Sequence, residues 1–195
     1  MLPRLPDALI EPLQRYLDLL DRWNRIHALT ALPPEDRFEE LILDSSALLP
    51  LLEPLSPGSR VMDFGTGMGV PAVVLALARP DLHVLALDKS RKKIAFLKQI
   101  TLELHLDNLE PLAGLAESLP PAGASLGVAK AVGSLELLAS WWARHGLPGA
   151  PMLALKGPEW HQEAVPAGWD LAPCPYQLPT RGARVILQMK KNAGP

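Results

Sequence analysis

The chain has 195 residues, 48% of them hydrophobic and 21% charged, with a net charge of −2. That length buries one sizeable core, and no uncharged apolar run approaches the ~20 residues needed to cross a membrane. Cys174 is the only cysteine, which excludes an internal disulfide, and the five histidines form no Cys/His cluster of the kind a metal needs.

Residues 1–7 lack a signal-peptide layout, so a cytoplasmic protein without a metal is expected. From Leu9 to His27, the apolar residues Leu9, Leu13, Tyr16, Leu17, Leu20 and Trp23 recur at helical spacing. Pro33-Pro34-Glu35-Asp36 restarts the chain with acids in a first helical turn. A second apolar face then runs through Phe38, Leu41, Ile42, Ser45, Leu48, Leu49 and Leu52. Pro54, Pro57 and Gly58 close this prelude. Residues 1–57 therefore read as a helical extension and 58–195 as an α/β core, together one domain. Apolar runs at 60–64, 82–87, 108–113, 125–132 and 151–155 predict strands, with helices at 69–79, 89–106 and 134–145 between them. Such alternation indicates a parallel sheet covered on both faces. Near the end, Pro/Gly-rich sequence separates strand-like runs at 168–172 and 183–190, which predicts an antiparallel hairpin added to that sheet.

The densest chemical signal is Val61-Met62-Asp63-Phe64-Gly65-Thr66-Gly67-Met68-Gly69-Val70-Pro71. An apolar strand ends in an acid and opens into three glycines, a turn whose bare backbone can lie against a ligand. The dinucleotide fingerprint is G-x-G-x-x-G; here Val70 stands where its last glycine belongs. Asp63 would repel a pyrophosphate and welcome an ammonium group. The turn therefore suits the amino-acid end of S-adenosylmethionine better than NAD. Two further acids fall at strand ends. Asp88, after the second strand, can accept both hydroxyl protons of a ribose, or merely cap the helix from Lys89. Ala116-Glu117, after the third, can bracket an adenine edge, or stand as ordinary surface residues.

Two basic clusters stand out: Lys89, Arg91, Lys92, Lys93 and Lys98, and then Arg181, Arg184, Lys190 and Lys191. Each reads equally as a nucleic-acid contact or a solvated face. Lys130 and Lys156, near the ends of the fourth and fifth strands, can hold RNA phosphates or a base oxygen, or snorkel over apolar surface.

The chain resembles the bacterial 16S ribosomal RNA guanine-N7 methyltransferases, once called glucose-inhibited division protein B. Trp23-Asn24 with Leu29-Thr30 resembles that family's W-N-x-x-x-N-L-T segment, and Ile42-Leu43-Asp44-Ser45 its H-I-L-D-S-L segment. Asp63 to Pro71 is similar to its D-V-G-T-G-x-G-L-P-G turn, Leu153–Gly157 to its A-L-K-G, and Arg184–Lys190 to its closing R-x-x-V-V-I-K strand. The resemblance implies a Rossmann-like class I methyltransferase with a mainly parallel seven-stranded sheet, using S-adenosylmethionine. Its substrate would be a guanine in 16S ribosomal RNA or the small ribosomal subunit. It places Gly65, Val70, Ala116, Glu117 and Lys130 against the cofactor, and the reading of the residues adds Asp63, Gly67, Gly69 and Asp88. Lys156 and Arg184 are assigned to RNA.

The chain also departs from the family. Lys130 replaces an arginine whose planar fork a lysine cannot reproduce. Ser125 stands for Asp, Leu41 for His, Ala28 for Asn and Ala72 for Gly. Two other readings therefore stay open: a methyltransferase with another target, and a catalytically silent relative that binds RNA or a protein.

Overall fold

The computed structural model describes residues 2–192. Helix α1 (Ile10–His27) follows its predicted periodicity and stops where Ala28 adopts a left-handed φ of 45°. Asn24 secures the exit: its Oδ1 accepts from the Thr30 N–H at 2.8 Å and its Nδ2 donates to the Thr30 carbonyl at 3.0 Å. The predicted second helix is not continuous. It comprises α2 (Pro34–Arg37), a π-helical turn (Phe38–Leu43), α3 (Asp44–Ser46) and a 3-10 turn (Leu49–Leu52). Arg37 is buried against Asp21 and donates to the Leu32 carbonyl, while the Ser45 hydroxyl donates back to the Leu41 carbonyl at 2.6 Å. These contacts fix the wider turn, a feature frequent at functional sites.

The core then alternates as predicted: β1 (Arg60–Phe64), α4 (Ala72–Ala78), β2 (His83–Asp88), α5 (Arg91–Glu103), β3 (Leu109–Ala113), β4 (Leu126–Lys130), α6 (Leu135–His145) and β5 (Met152–Lys156). The strands form one sheet in the order β3-β2-β1-β4-β5-β7-β6. Its first five are parallel, and β7 (Gly182–Lys191) returns antiparallel between β5 and β6 (Trp169–Leu178). Alternate residues serve opposite faces. Val61, Val84, Val128 and Leu153 join the cluster with α1, α4 and α5; Met62, Leu85, Ala129 and Met152 join the cluster with α6. The N-terminal helices belong to the first cluster, so their apolar faces are continuous with the core beneath α4 and α5.

Two expectations need correction. Strand β6 runs straight through Pro173 and Pro175 to Leu178 rather than ending at residue 172. It lies at the edge of the sheet, where a missing N–H costs no ladder bond. Helix α5 is capped by Ser90, whose Oγ accepts from the Lys93 N–H, and not by Asp88. Among the described residues, no helix is long and apolar enough to cross a membrane.

Candidate active site

An open cavity of about 660 Å³ lies beyond the carboxyl ends of β1, β2 and β4, the place where open parallel sheets bind ligands. Order reverses here, because β1 sits between β2 and β4. Gly65, Gly67, Val70, Asp88, Ala116, Glu117 and Lys130 all line it. Asp63 and Gly69 do not. Asp63 is fully buried behind the turn, and a Cβ on Gly69 would stand 2.6 Å from Leu97 Cδ1, so that glycine serves the packing of α5.

The turn is held from several sides. Asp88 Oδ2 accepts from the Gly67 N–H at 2.9 Å and Oδ1 from the Ser90 N–H at 2.8 Å, tying the two loops together. Each oxygen retains acceptor capacity toward the cavity. From behind, Tyr16 of α1 donates to the Met68 carbonyl at 3.1 Å, and burial pushes its hydroxyl pKa upward. Gly65 has a φ of +68°, and a Cβ there would meet Val132 Cγ2 at 2.6 Å. Backbone and Val132 thus approach so closely at the cavity floor that only glycine fits.

Asp63 Oδ2 accepts from the Ala72 N–H at 3.2 Å, while Oδ1 and the Thr66 hydroxyl have no hydrogen-bond partner. Burial raises the Asp63 carboxyl to a pKa of about 7, against the opposing influence of the nearby Thr66 hydroxyl and the Ala72 amide. Oδ1 and the Thr66 hydroxyl are thus close enough to interact but not bonded to each other, a buried polar pair behind the glycine turn whose carboxyl a cationic ligand group would favour in its ionised form.

At the opposite wall, Glu117 accepts from Trp141 Nε1 at 2.6 Å, and this bond holds its carboxyl below the usual range. Trp141 also lines the cavity and stacks on Phe64 with ring centroids 5.8 Å apart. The sequence reading missed it. The signal was the Trp141-Trp142 pair, where Trp142 points inward and its neighbour is turned toward the strand ends.

Lys130 lines the cavity, but its ammonium is engaged elsewhere: Nζ lies 3.1 Å from Asp44 Oδ2 and also contacts the Glu40 carbonyl. Tyr176 donates to Asp44 Oδ1 at 2.6 Å. The cluster joins β4, the π-helical turn and β6, and sets Leu41 on the cavity wall. Lys156 and Arg184 lie outside the cavity. Lys156 donates to Glu163 at 2.7 Å and to the Gly133 carbonyl at 2.9 Å, and Arg184 pairs with Glu40 at 3.4 Å.

Residues 9–170 match the family model described as rRNA small subunit methyltransferase G. The chain belongs to that family. A ribosomal RNA small subunit methyltransferase G of Bordetella avium is 35% identical over 192 residues, covering 94% of this chain and 86% of that one. One from Yersinia pseudotuberculosis is 39% identical over 158 residues, 78% of this chain and 74% of that one. Among solved structures, a SAM-dependent methyltransferase of Aquifex aeolicus superposes with a TM-score of 0.57 at 19% identity, covering 79% of this chain and 92% of that one. That likeness shows the fold.

Proposed function

We propose that this methyltransferase transfers a methyl group from S-adenosylmethionine to N7 of a guanine in 16S ribosomal RNA, as a cytoplasmic enzyme of the small ribosomal subunit. The observation that carries the reading is the cavity itself, with a glycine floor that no side chain can share, an unpartnered carboxylate oxygen beneath it and carboxylates on two walls. When bound, the cofactor supplies an activated methyl group together with its leaving group. The Gly65–Val70 turn would receive its amino-acid end, with Asp63 below as the countercharge. Asp88 would accept from the ribose hydroxyls and Glu117 from the adenine amino group, beside Ala116. Guanine N7 has an in-plane lone pair and no proton, so no general base is required. The protein's contribution is then to hold donor and acceptor in line. Lys130, engaged with Asp44, shapes the wall on which the base would rest.

Calorimetric titration with S-adenosylmethionine should give saturable binding. Ribosomal RNA from cells lacking the gene should lose one N7-methylguanine that the gene restores. Binding without any change in the modification map would reject the acceptor and retain the donor; no binding would reject both. Gly65→Ala tests the floor. A left-handed φ costs an alanine roughly 1–2 kcal/mol, and relieving its clash with Val132 moves one of them into the ligand's space. Cofactor affinity is expected to fall roughly tenfold or more, with partial recovery in Gly65→Ala/Val132→Ala. Unchanged affinity in the single variant would show that the ligand does not use this floor.

A further inference from the structure

Helices α1 and α5 run antiparallel. Arg15 meets Glu103 at 2.9 Å, Trp23 and Phe96 have ring centroids 5.5 Å apart, and Lys92 donates to the carbonyls of His27 and Ala28. This pairing brings residues 22–28 beside residues 89–98. Together the two segments hold seven lysines and arginines and no carboxylate, in a chain whose net charge is −2. Lys92 is spent on closing α1. The other six, Arg22, Arg25, Lys89, Arg91, Lys93 and Lys98, form no salt bridge among the described residues. All six lie on the outer surface or the cavity rim: Arg22, Arg25, Lys89, Arg91 and Lys98 are exposed, and Lys93 reaches over the glycine turn, its Nζ 4.0 Å from where a Gly67 Cβ would stand. Lys89 and Lys93 line the cavity.

The second basic cluster is different. Arg181 pairs with Asp36 and Glu40, Arg184 pairs with Glu40, and Lys190 stands opposite Asp170 in the β6–β7 ladder. Its charges are largely answered within the molecule.

We propose that the face formed by the end of α1 and the start of α5 is the RNA-docking surface, gripping the phosphates that flank the methylated base. The inference rests on the function proposed above. Cations without salt-bridge partners on two paired helices, two of them lining a methyl-donor cavity, are what a polyanionic substrate requires. Phosphate contacts fix its position while the base enters the site. An array of bare cations with no interleaved acceptors fits a phosphate backbone better than a protein surface of mixed charge.

The test compares Arg25→Glu/Lys98→Glu, one residue from each helix and neither in the cavity, with Lys190→Glu/Lys191→Glu, which changes the net charge equally. Small ribosomal subunits from cells lacking the gene serve as substrate over a range of KCl concentrations. The α1–α5 variant should bind S-adenosylmethionine normally by calorimetry, which also reports that it is folded. Its KM for subunits should rise roughly tenfold or more, and the slope of log KM against log salt should fall by about 1.5–2, corresponding to two lost phosphate contacts. The β7 variant should stay near wild type. Equal losses in both variants would reduce the effect to net charge and overturn the proposal. So would a wild-type KM and slope in the α1–α5 variant, leaving that face to an acidic protein. A wild-type protein unable to methylate the subunits would reject the function instead.

Discussion

Lys130→Met is expected to lower the unfolding free energy by roughly 3–5 kcal/mol, the usual cost of leaving one partner of a buried ion pair uncompensated. The side chains of Lys130 and Asp44 are only 14% and 5% exposed, so solvent screens the pair weakly. With the cation gone, Asp44 keeps the Tyr176 hydroxyl, which argues for the lower half of that range. The Glu40 carbonyl also loses a donor, and with it the π-helical turn loses its tie to β4. Urea denaturation should therefore show a large loss for Lys130→Met, and a smaller one in Lys130→Met/Asp44→Asn, where no unpaired charge remains. Lys130→Arg, which restores the residue the family pattern has, keeps the ion pair and should stay within about 1.5 kcal/mol of wild type. A Lys130→Met protein of wild-type stability would mean that the ammonium is free to contact ligand, as the bare sequence suggests.

This engagement marks the limit of what the sequence makes legible. Most of the strand ladder can be read off directly, because β1, β2, β4 and β5 are buried along nearly their whole length and appear as short apolar runs between helical spacings, whereas β3, at the sheet edge, is half exposed and less plain. Helix α1 is equally plain from its single stripe. The second N-terminal segment is not. Its apolar positions are compatible with one long helix, and the widening at Phe38–Leu43 coincides with the tertiary contacts of Arg37 with Asp21 and of Lys130 with the Glu40 carbonyl, which the local pattern does not show. Strand β6 was hidden for another reason. Two prolines read as punctuation until the sheet order shows that they occupy an edge.

Within the candidate site, residues legible from the sequence are those whose chemistry is local to a strand end. Asp88 ends β2, the glycine turn opens directly after β1, and Glu117 lies in the short 3-10 turn Ala116–Ser118 just beyond β3, so topology alone carries most of them to one cavity. Trp141, Lys93 and Leu41 reach it from helices, and their phase is set by packing partners distant in sequence. The lysines show the same division. Nothing in the local sequence distinguishes Lys130 and Lys156, which are tied to Asp44 and Glu163, from Lys89 and Lys93, which are not.

Asp63 should make the stability of the ligand-free protein fall as pH rises from about 4 to about 7. Its carboxyl, which ordinarily titrates near 3.8, is raised to about 7 in the folded chain, chiefly by burial. The folded state thus binds the proton more tightly than the unfolded one. The resulting stabilisation is fully present below the unfolded pKa, declines by up to ~1.4 kcal/mol per pH unit, and is gone above the folded pKa. Other carboxylates titrate in the lower part of this window, so the informative quantity is the difference between wild type and Asp63→Asn. Asparagine keeps an acceptor for the Ala72 N–H and carries no charge at any pH. Between pH 5 and 7.5, wild type should lose roughly 2–3 kcal/mol relative to this variant, and above pH 8 the difference should be constant. Parallel profiles would show that Asp63 does not titrate there. The cofactor examines the same group from the other side. If its ammonium sits over the open Oδ1, the ionised carboxylate is favoured and the proton leaves on binding. Calorimetry at pH 6 in buffers of different ionisation enthalpy should then register the release of close to one proton, with almost none at pH 8 or in Asp63→Asn. Proton release unchanged by Asp63→Asn would move the amino-acid end of the cofactor away from this carboxylate.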